Sequence, residues 1–295
     1  MACRMTPSIA MPINNDARYE HCPLCASPDI ARRGEIKYAS PLMYSTHEIT
    51  LVETPEFWSC RRCGSGFVQN TIPECVAEGL YAHGAGRERW VAEPVGKSKH
   101  REILDVLDSF LKKDRAVLDI GCNTGELLDY AKAKGCRTGG VEFCLSSREK
   151  LAEKGHASFP ALETVVDRYD VITAFDLVEH LYDVPEFLGM CKRTLRKDGG
   201  IVLLTGDISS LGARLAGPRW WYVGYPEHIV FPSRRYFSDF SGFTLERWFP
   251  TYASLGYEQS LLHSTYGFLY GMFKGNYAGL PSPGPDHMLV ILKND

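Results

Sequence analysis

The sequence predicts an α/β molecule: a doubly wound, mostly parallel sheet with a small metal-binding module ahead of it. Three observations predict it. Two Cys-x-x-Cys knuckles, Cys22-Pro23-Leu24-Cys25 and Cys60-Arg61-Arg62-Cys63, stand near the N-terminus. From Val117 onward short apolar runs alternate with stretches of helical composition, as βα units wound into one sheet do. Between the first run, Val117-Leu118-Asp119-Ile120, and its helix lies a turn punctuated by Gly121 and Gly125.

Composition sets limits on partners. With 295 residues, 44% hydrophobic and 23% charged, the chain has room for one large domain and one small one. A net charge of −3 argues against a broad nucleic-acid surface and favours a small-molecule substrate. There is no apolar run of about 18 residues to span a membrane and no signal-peptide pattern, so a cytoplasmic protein without membrane association is expected. Four of the ten cysteines pair as Cys-x-x-Cys and the rest are scattered, which suits reduced thiols and one metal better than disulfides.

Taken in order, residues 1–20 lack periodicity and read as a loose arm. Residues 21–70 carry both knuckles, and four thiolates, Cys22, Cys25, Cys60 and Cys63, make a closed tetrahedral zinc site of structural type. His21 and His47 are possible substitute ligands. Strands at Glu35–Tyr44, Ile49–Trp58 and Phe67-Val68 complete a zinc ribbon, although a redox role for a Cys-x-x-Cys is the competing reading. Residues 71–97, with Pro73, Pro94 and several glycines, read as a linker with a short helix at Glu74–Tyr81; Tyr81 and His83 within it are candidates to fold over a ligand.

Residues 98–295 form the large domain. Ser98–Leu111 opens it as an amphipathic helix. Strand Val117–Ile120, helix Gly125–Lys134, strand Thr138–Phe143, helix Leu145–Glu153 and a weak strand Ala157–Phe159 follow. Strand Tyr169–Phe175, a helix Pro185–Leu195, the turn Lys197–Gly200 and strand Ile201–Thr205 continue the winding. Strands Phe243–Phe249, stopped by Pro250, and His287–Lys293 close it. Between them Tyr252–Tyr277 is rich in aromatics and reads as a helical pair beside the sheet, with an interface as the alternative.

The turn after Ile120 has the character of a cofactor cradle, with backbone N–H groups at a helix start and glycines that allow close approach. Asn123 stands where a dinucleotide fingerprint has glycine, which weakens a pyrophosphate reading. Asp119 can meet an ammonium group, and Glu142, ending the second strand, can take two ribose hydroxyls. The pair suits S-adenosylmethionine, which is cationic and carries no phosphate.

VLDIGCNTG, GGVEF, YDVITAFDLVEHL and LRKDGGIVLLT, in this order and spacing, resemble class I S-adenosylmethionine-dependent methyltransferases over residues 98–295. The resemblance implies a Rossmann-like seven-stranded sheet with a reversed final strand. It implies cofactor contacts at Asp119, Gly121, Asn123, Gly125 and Glu142, with Phe175 and Asp176 at the methionine end. The acidic residue that many members use to hold the adenine amine has no counterpart in Ser158-Phe159-Pro160-Ala161, so Phe159, Ala161 or backbone is left for that role. With its N-terminal knuckles the chain is also similar to sugar C-methyltransferases and their small-molecule relatives, in which a Tyr-x-Glu-His set lies over the substrate. Here that set reads Tyr225-Pro226-Glu227-His228, and the additional C-terminal domain of the sugar enzymes is not matched.

Methyl transfer requires positioning and removal of a proton. His228 is the expected general base, since an imidazole titrates near neutrality, with Glu227 to orient it. Tyr225 is expected as a substrate-shelf aromatic and His180 as a neighbour of cofactor or substrate. The acceptor would be a sugar nucleotide or a natural-product intermediate, methylated at carbon or oxygen in a biosynthetic step. One alternative is a metal-assisted O-methyltransferase in which Asp176, Glu179, His180 and His228 hold a divalent ion; the Asp-x-x-Glu-His spacing resembles acidic-His sets of ubiquinone-pathway and small-RNA O-methyltransferases. A second is a noncatalytic binding protein, supported only by Arg32-Arg33 and Arg61-Arg62 beside the knuckles.

Overall fold

The computed structural model describes residues 12–38, 40–83, 101–251, 261–274, 279–280 and 282–294. The N-terminal ribbon begins with β1 (Ile30–Glu35), which pairs antiparallel with β4 (Glu56–Cys60). A separate hairpin, β2 (Leu42–Tyr44) and β3 (His47–Ile49), stands between them, and β5 (Gly66–Val68) pairs on the other edge of β4. The long strands expected at Glu35–Tyr44 and Ile49–Trp58 are thus cut into shorter ones. Pro41 has no N–H to give a ladder, and Ser45, at φ 54, closes the tight β2–β3 turn.

The described part of the supposed loose arm is bound down. Ile13 bridges to Leu51, and the Asn15 side chain, 1% exposed, donates to the Glu53 and Asn70 carbonyls while accepting from the Glu53 N–H. An amide satisfied on both ends replaces the periodicity that sequence reading looks for. The start of the expected linker is also packed: α1 (Glu74–His83) follows the buried Ile72, whose carbonyl accepts from Tyr182 Oη at 2.8 Å. Residues 1–11 and 84–97 lie outside the described residues.

The large sheet has seven strands. After α2 (Arg101–Leu107), β6 (Ala116–Ile120), α3 (Glu126–Ala133), β7 (Arg137–Val141), α4 (Leu145–Glu153) and β8 (Ala157–Phe159) form the first half. β9 (Tyr169–Phe175), α5 (Val184–Thr194) and β10 (Leu195–Gly206) begin the second. Short elements α6 (Leu211–Ala216), β11 (Val230–Phe231) and α7 (Arg234–Asp239) precede β12 (Thr244–Thr251), α8 (Leu261–Phe273) and β13 (His287–Lys293). The order is β12-β13-β10-β9-β6-β7-β8, with β13 antiparallel to both neighbours, the reversed strand expected.

Every residue of β6 is buried, as befits a central strand covered on both faces. Asp183 caps α5 by accepting from the Glu186 N–H at 2.8 Å, with Pro185 in the first turn, a cap worth about 1 kcal/mol. Pro250 does not stop β12. It pairs opposite Met288 on an edge strand, where a missing N–H disturbs no second ladder. The expected helical pair is, among the described residues, the single helix α8, with Phe268 buried and Leu262, Tyr266, Leu269, Tyr270 and Phe273 exposed.

Ribbon and sheet are not separate bodies. β11, from the loop after β10, is the fourth strand of the ribbon sheet, in the order β1-β4-β5-β11. One apolar cluster joins Cys22, Leu24, Cys63 and Phe67 of the ribbon to Val178, Ile229, Tyr236 and Phe237 of the large domain.

Candidate functional site

The carboxyl ends of β6, β7, β9 and β10 open on one side of the large sheet. This is where doubly wound sheets bind ligands. The turn after β6 takes left-handed backbone at Gly121 (φ 76), Asn123 (φ 47) and Gly125 (φ 84). Asparagine tolerates that region better than other side-chain-bearing residues, which explains how position 123 dispenses with glycine. Gly125 is obligatory for a second reason: a Cβ there would lie 2.4 Å from Leu151, so its absence lets α3 seat against α4.

That turn is tied to the end of β7 through Glu142. The Asn123 N–H donates to Glu142 Oε2 at 3.0 Å and the Cys144 N–H to Oε1 at 2.8 Å. Arg148 Nη1 donates to the Glu142 carbonyl, and the Glu142 N–H donates to the carbonyl of Phe159. A carboxylate held by two backbone donors keeps its remaining lone pairs for a ligand. Phe159, half-buried at the end of β8, lies beside it.

Asp119 differs from the expected open carboxylate. It is buried, it accepts from Thr173 Oγ1 at 2.6 Å, and burial pushes its pKa up to about 7. A cation beside it would restore the charged form. Asp176, at φ 48, follows the half-buried Phe175, and its N–H donates to Leu204 O. Burial, then the neighbouring Glu179, raises its pKa to about 7 as well.

Beyond Asp176 the structure brings Glu179, His180 and His228 together, with ligand-capable atoms all within 4.8 Å of one another; Asp176 is not among them. Glu179 is fully buried. Thr205 Oγ1 donates to its Oε2 at 2.9 Å, and Tyr222 Oη donates to its Oε1. The two imidazoles meet edge to face at 4.7 Å. His180 Nδ1 lies 3.0 Å from the Glu227 carbonyl and His228 Nδ1 lies 2.6 Å from the Tyr222 carbonyl. A carbonyl accepts only, so each Nδ1 carries the proton and each Nε2 keeps a lone pair.

Two expectations need correction here. His228 does not titrate near neutrality: burial, then the adjacent His180, pushes its pKa down to about 4, so it stays neutral. Nor does the Glu227 side chain orient it, because its Oε1 accepts from the Ser45 N–H at 2.9 Å, in the β2–β3 turn. Tyr225 is buried beside Tyr38 with ring centroids 6.2 Å apart.

Several residues that hold this end escaped sequence reading. The indoles of Trp220 and Trp221 both donate to Asp286 Oδ2, at 2.9 and 2.6 Å, and Asp286 Oδ1 lies 2.9 Å from His287 Nδ1. His287 stacks on Trp221 and meets the edge of Tyr222. Gly206 makes room for that Tyr222 ring, since a Cβ would lie 2.3 Å from it. A glycine closing an apolar strand was the available signal for close approach.

The four knuckle cysteines converge. Cys22 and Cys63 sulfurs are 3.8 Å apart, Cys25 and Cys60 sulfurs 3.6 Å, and all four lie within 4.8 Å of each other. Tetrahedral zinc–thiolate bonds of about 2.3 Å set sulfurs about 3.8 Å apart, so the donor set fits zinc. Burial pushes the Cys25 thiol up to about 11, whereas the hydrogen bond from Cys22 holds Cys63 down to about 5. No helix of the described residues is long and apolar enough to cross a membrane.

Residues 95–246 match the family model described as "Methyltransferase domain". Among curated relatives, a ubiquinone biosynthesis O-methyltransferase of Bradyrhizobium sp. (strain ORS 278) is 37% identical over 98 residues, 30% of this chain and 39% of the relative. The mitochondrial ubiquinone biosynthesis O-methyltransferase of Saccharomyces cerevisiae is 27% identical over 156 residues, 47% of this chain and 50% of the relative. The chain thus spans about two fifths to one half of the length of these relatives. Among solved structures, magnesium protoporphyrin IX methyltransferase from Synechocystis PCC 6803, with bound SAH, is 14% identical over 76% of this chain and 100% of that one, with a TM-score of 0.48.

Proposed function

We propose that this chain, which belongs to the methyltransferase-domain family, transfers the methyl group of S-adenosylmethionine to a small polar acceptor. The observation that carries the reading is Glu142, fixed by the Asn123 and Cys144 N–H groups at the end of β7 and aimed over a turn that lacks a pyrophosphate fingerprint. When bound, the cofactor supplies an electrophilic methyl on a cationic sulfur. Glu142 would take the ribose hydroxyls, Phe159 and Ala161 the adenine, and Asp119 and Asp176 the positive end. The left-handed turn of Gly121, Asn123 and Gly125 lets the backbone approach.

The acceptor would sit between this cradle and the Tyr222–His228 loop. His228, neutral and with its Nε2 lone pair free, receives the acceptor's proton, and His180 shares the same edge. Tyr225 and Glu227 hold the loop rather than the reacting atoms. The relatives named O-methyltransferase favour oxygen as the methylated atom; a sugar nucleotide or natural-product intermediate is the acceptor class proposed.

A second reading is favoured by the tautomers. Two imidazoles that donate Nδ1–H to backbone carbonyls, gathered with a buried carboxylate so that ligand-capable atoms lie within 4.8 Å, are arranged as metal ligands are. In that reading Glu179, His180 and His228 hold a divalent ion that acidifies an acceptor hydroxyl. Residues 21–70 are read as a structural zinc module and residues 98–295 as the catalytic domain.

Calorimetry with S-adenosylmethionine tests the first step: saturable one-to-one binding is expected, and none would refute the reading. Metal analysis should find about one zinc per chain that survives mild EDTA. Methyl transfer that EDTA abolishes and magnesium or manganese restores would decide for the ion at Glu179, His180 and His228 over the unaided base.

A further inference from the structure

We propose that the four-cysteine ribbon is the positioning element for His228, gripping the catalytic loop on both sides of that residue. The inference rests on the reading above in one respect, that His228 faces the acceptor.

On the N-terminal side the grip is on Glu227. Its Oε1 accepts from the Ser45 N–H at 2.9 Å, at the tip of the β2–β3 hairpin. On the C-terminal side the grip is on Ile229, whose carbonyl accepts from the Val68 N–H at 2.8 Å. The next two residues, Val230 and Phe231, pair with Phe67 and Gly66 as β11. Ser233 then fastens the strand to the second knuckle: its N–H donates to Ser65 Oγ at 3.1 Å, and its Oγ donates to the Cys63 carbonyl.

Ile229 links the ribbon to the chemistry directly. Its N–H donates to the carbonyl of Glu179 at 2.8 Å, while its own carbonyl is taken by Val68. A single residue therefore spans from the ribbon edge to the Glu179-His180 turn. The side chain of Ile229 is buried in the cluster that also contains Cys22, Cys60 and Cys63. No step of this path depends on a flexible side chain except the Glu227 carboxylate and the two serines.

The knuckle's own shape comes from four sulfurs closing on one centre. Small metal modules of this kind lose their fold with their ion. The edge of β5 would then no longer hold Val68, Phe67 and Gly66 in register, and both neighbours of His228 would be released. The cradle around Glu142, which touches none of these residues, would remain.

Amide exchange followed residue by residue, without any methyl acceptor, tests this. Two perturbations of the full chain are compared: zinc removal by a strong chelator, and Val68→Pro, which deletes the donor to Ile229 while leaving the four cysteines alone. Either should speed exchange at Phe231, whose N–H faces Gly66 across the ladder, by about 10²-fold and shift the His228 ring signals. Val117–Ile120 should keep their protection and S-adenosylhomocysteine its affinity. Unchanged protection at Phe231 after both treatments would overturn the proposal. So would a loss that spreads equally through β6 and β9, which would make the ribbon a general stabiliser. Absence of S-adenosylhomocysteine binding to the untreated protein would instead count against the functional reading, leaving the exchange result to judge the clamp.

Discussion

The cofactor cradle and the acceptor end of the site are built in opposite ways. In the cradle, Asn123, Glu142, Cys144 and Ser147 bond to one another across sequence separations of 2 to 24 residues. At the acceptor end the separations are 43 for Tyr222 and Glu179, 65 and 66 for the two tryptophans and Asp286, and 182 for Ser45 and Glu227. The first is the product of adjacent βα units, each closing a short loop. The second is assembled from the ribbon, the loop after β10 and the final strand. Cofactor binding should therefore survive damage that removes acceptor chemistry.

The largest effect should come from breaking the cradle itself. Glu142→Ala removes an oriented carboxylate whose charge-assisted bonds contribute about 1.5–3 kcal/mol each, so two ribose hydroxyls would cost about 10³-fold in S-adenosylmethionine affinity by calorimetry. His228→Ala makes the opposite cut. Affinity for the cofactor should stay within about twofold while label passed from S-adenosylmethionine to a panel of hydroxylated acceptors falls by about 10²-fold or more. If both properties fell together, the two regions would be one unit.

A subtler break leaves the reacting groups in place. Asp286→Ala strands the indole N–H groups of Trp220 and Trp221, each worth about 1–3 kcal/mol when buried unpaired. The melting temperature should drop by several degrees, and acceptor turnover should suffer more than cofactor affinity.

A pH dependence within the cradle probes the same contrast through stability. Burial raises the Asp119 carboxyl to about 7 in the folded protein, above its ordinary value near 4. Folded protein then holds a proton that the unfolded chain has shed, so this group's stabilising contribution declines as pH rises from about 4 to about 7. The melting temperature of Asp119→Asn relative to the parent should climb across that window and level off above it. A flat difference would mean that Asp119 is already ionised in the empty cradle.

Sequence was most informative where structure is local. The β-strand and helix pattern from Val117 to Phe175 and the four sulfurs follow from period, spacing and turn chemistry within short windows, whereas the reversed last strand came from the family resemblance. It was least informative where packing overrules local signals. Pro250 looks like a stop until β12 is seen to be an edge. Asn15 looks like part of an unstructured arm until its amide is seen to fill two buried positions. Glu227 and His228 look like a catalytic pair because they are adjacent, yet their side chains serve different partners. Tyr222, which does touch Glu179, had no motif to mark it, only Gly206 upstream making room for its ring.

β11 also bears on how the chain reaches its final form. The ribbon carries its four knuckle cysteines early in the sequence, yet the strand that completes its sheet comes 168 residues after Ser65 when counted to Ser233. As the polypeptide leaves the ribosome, the edge of Gly66–Val68 has no partner until most of the large domain has been made. Unpaired edges of this kind invite association between chains. The late arrival of Val230-Phe231 should make that edge the most vulnerable point of the nascent protein and its pairing one of the slower events of folding.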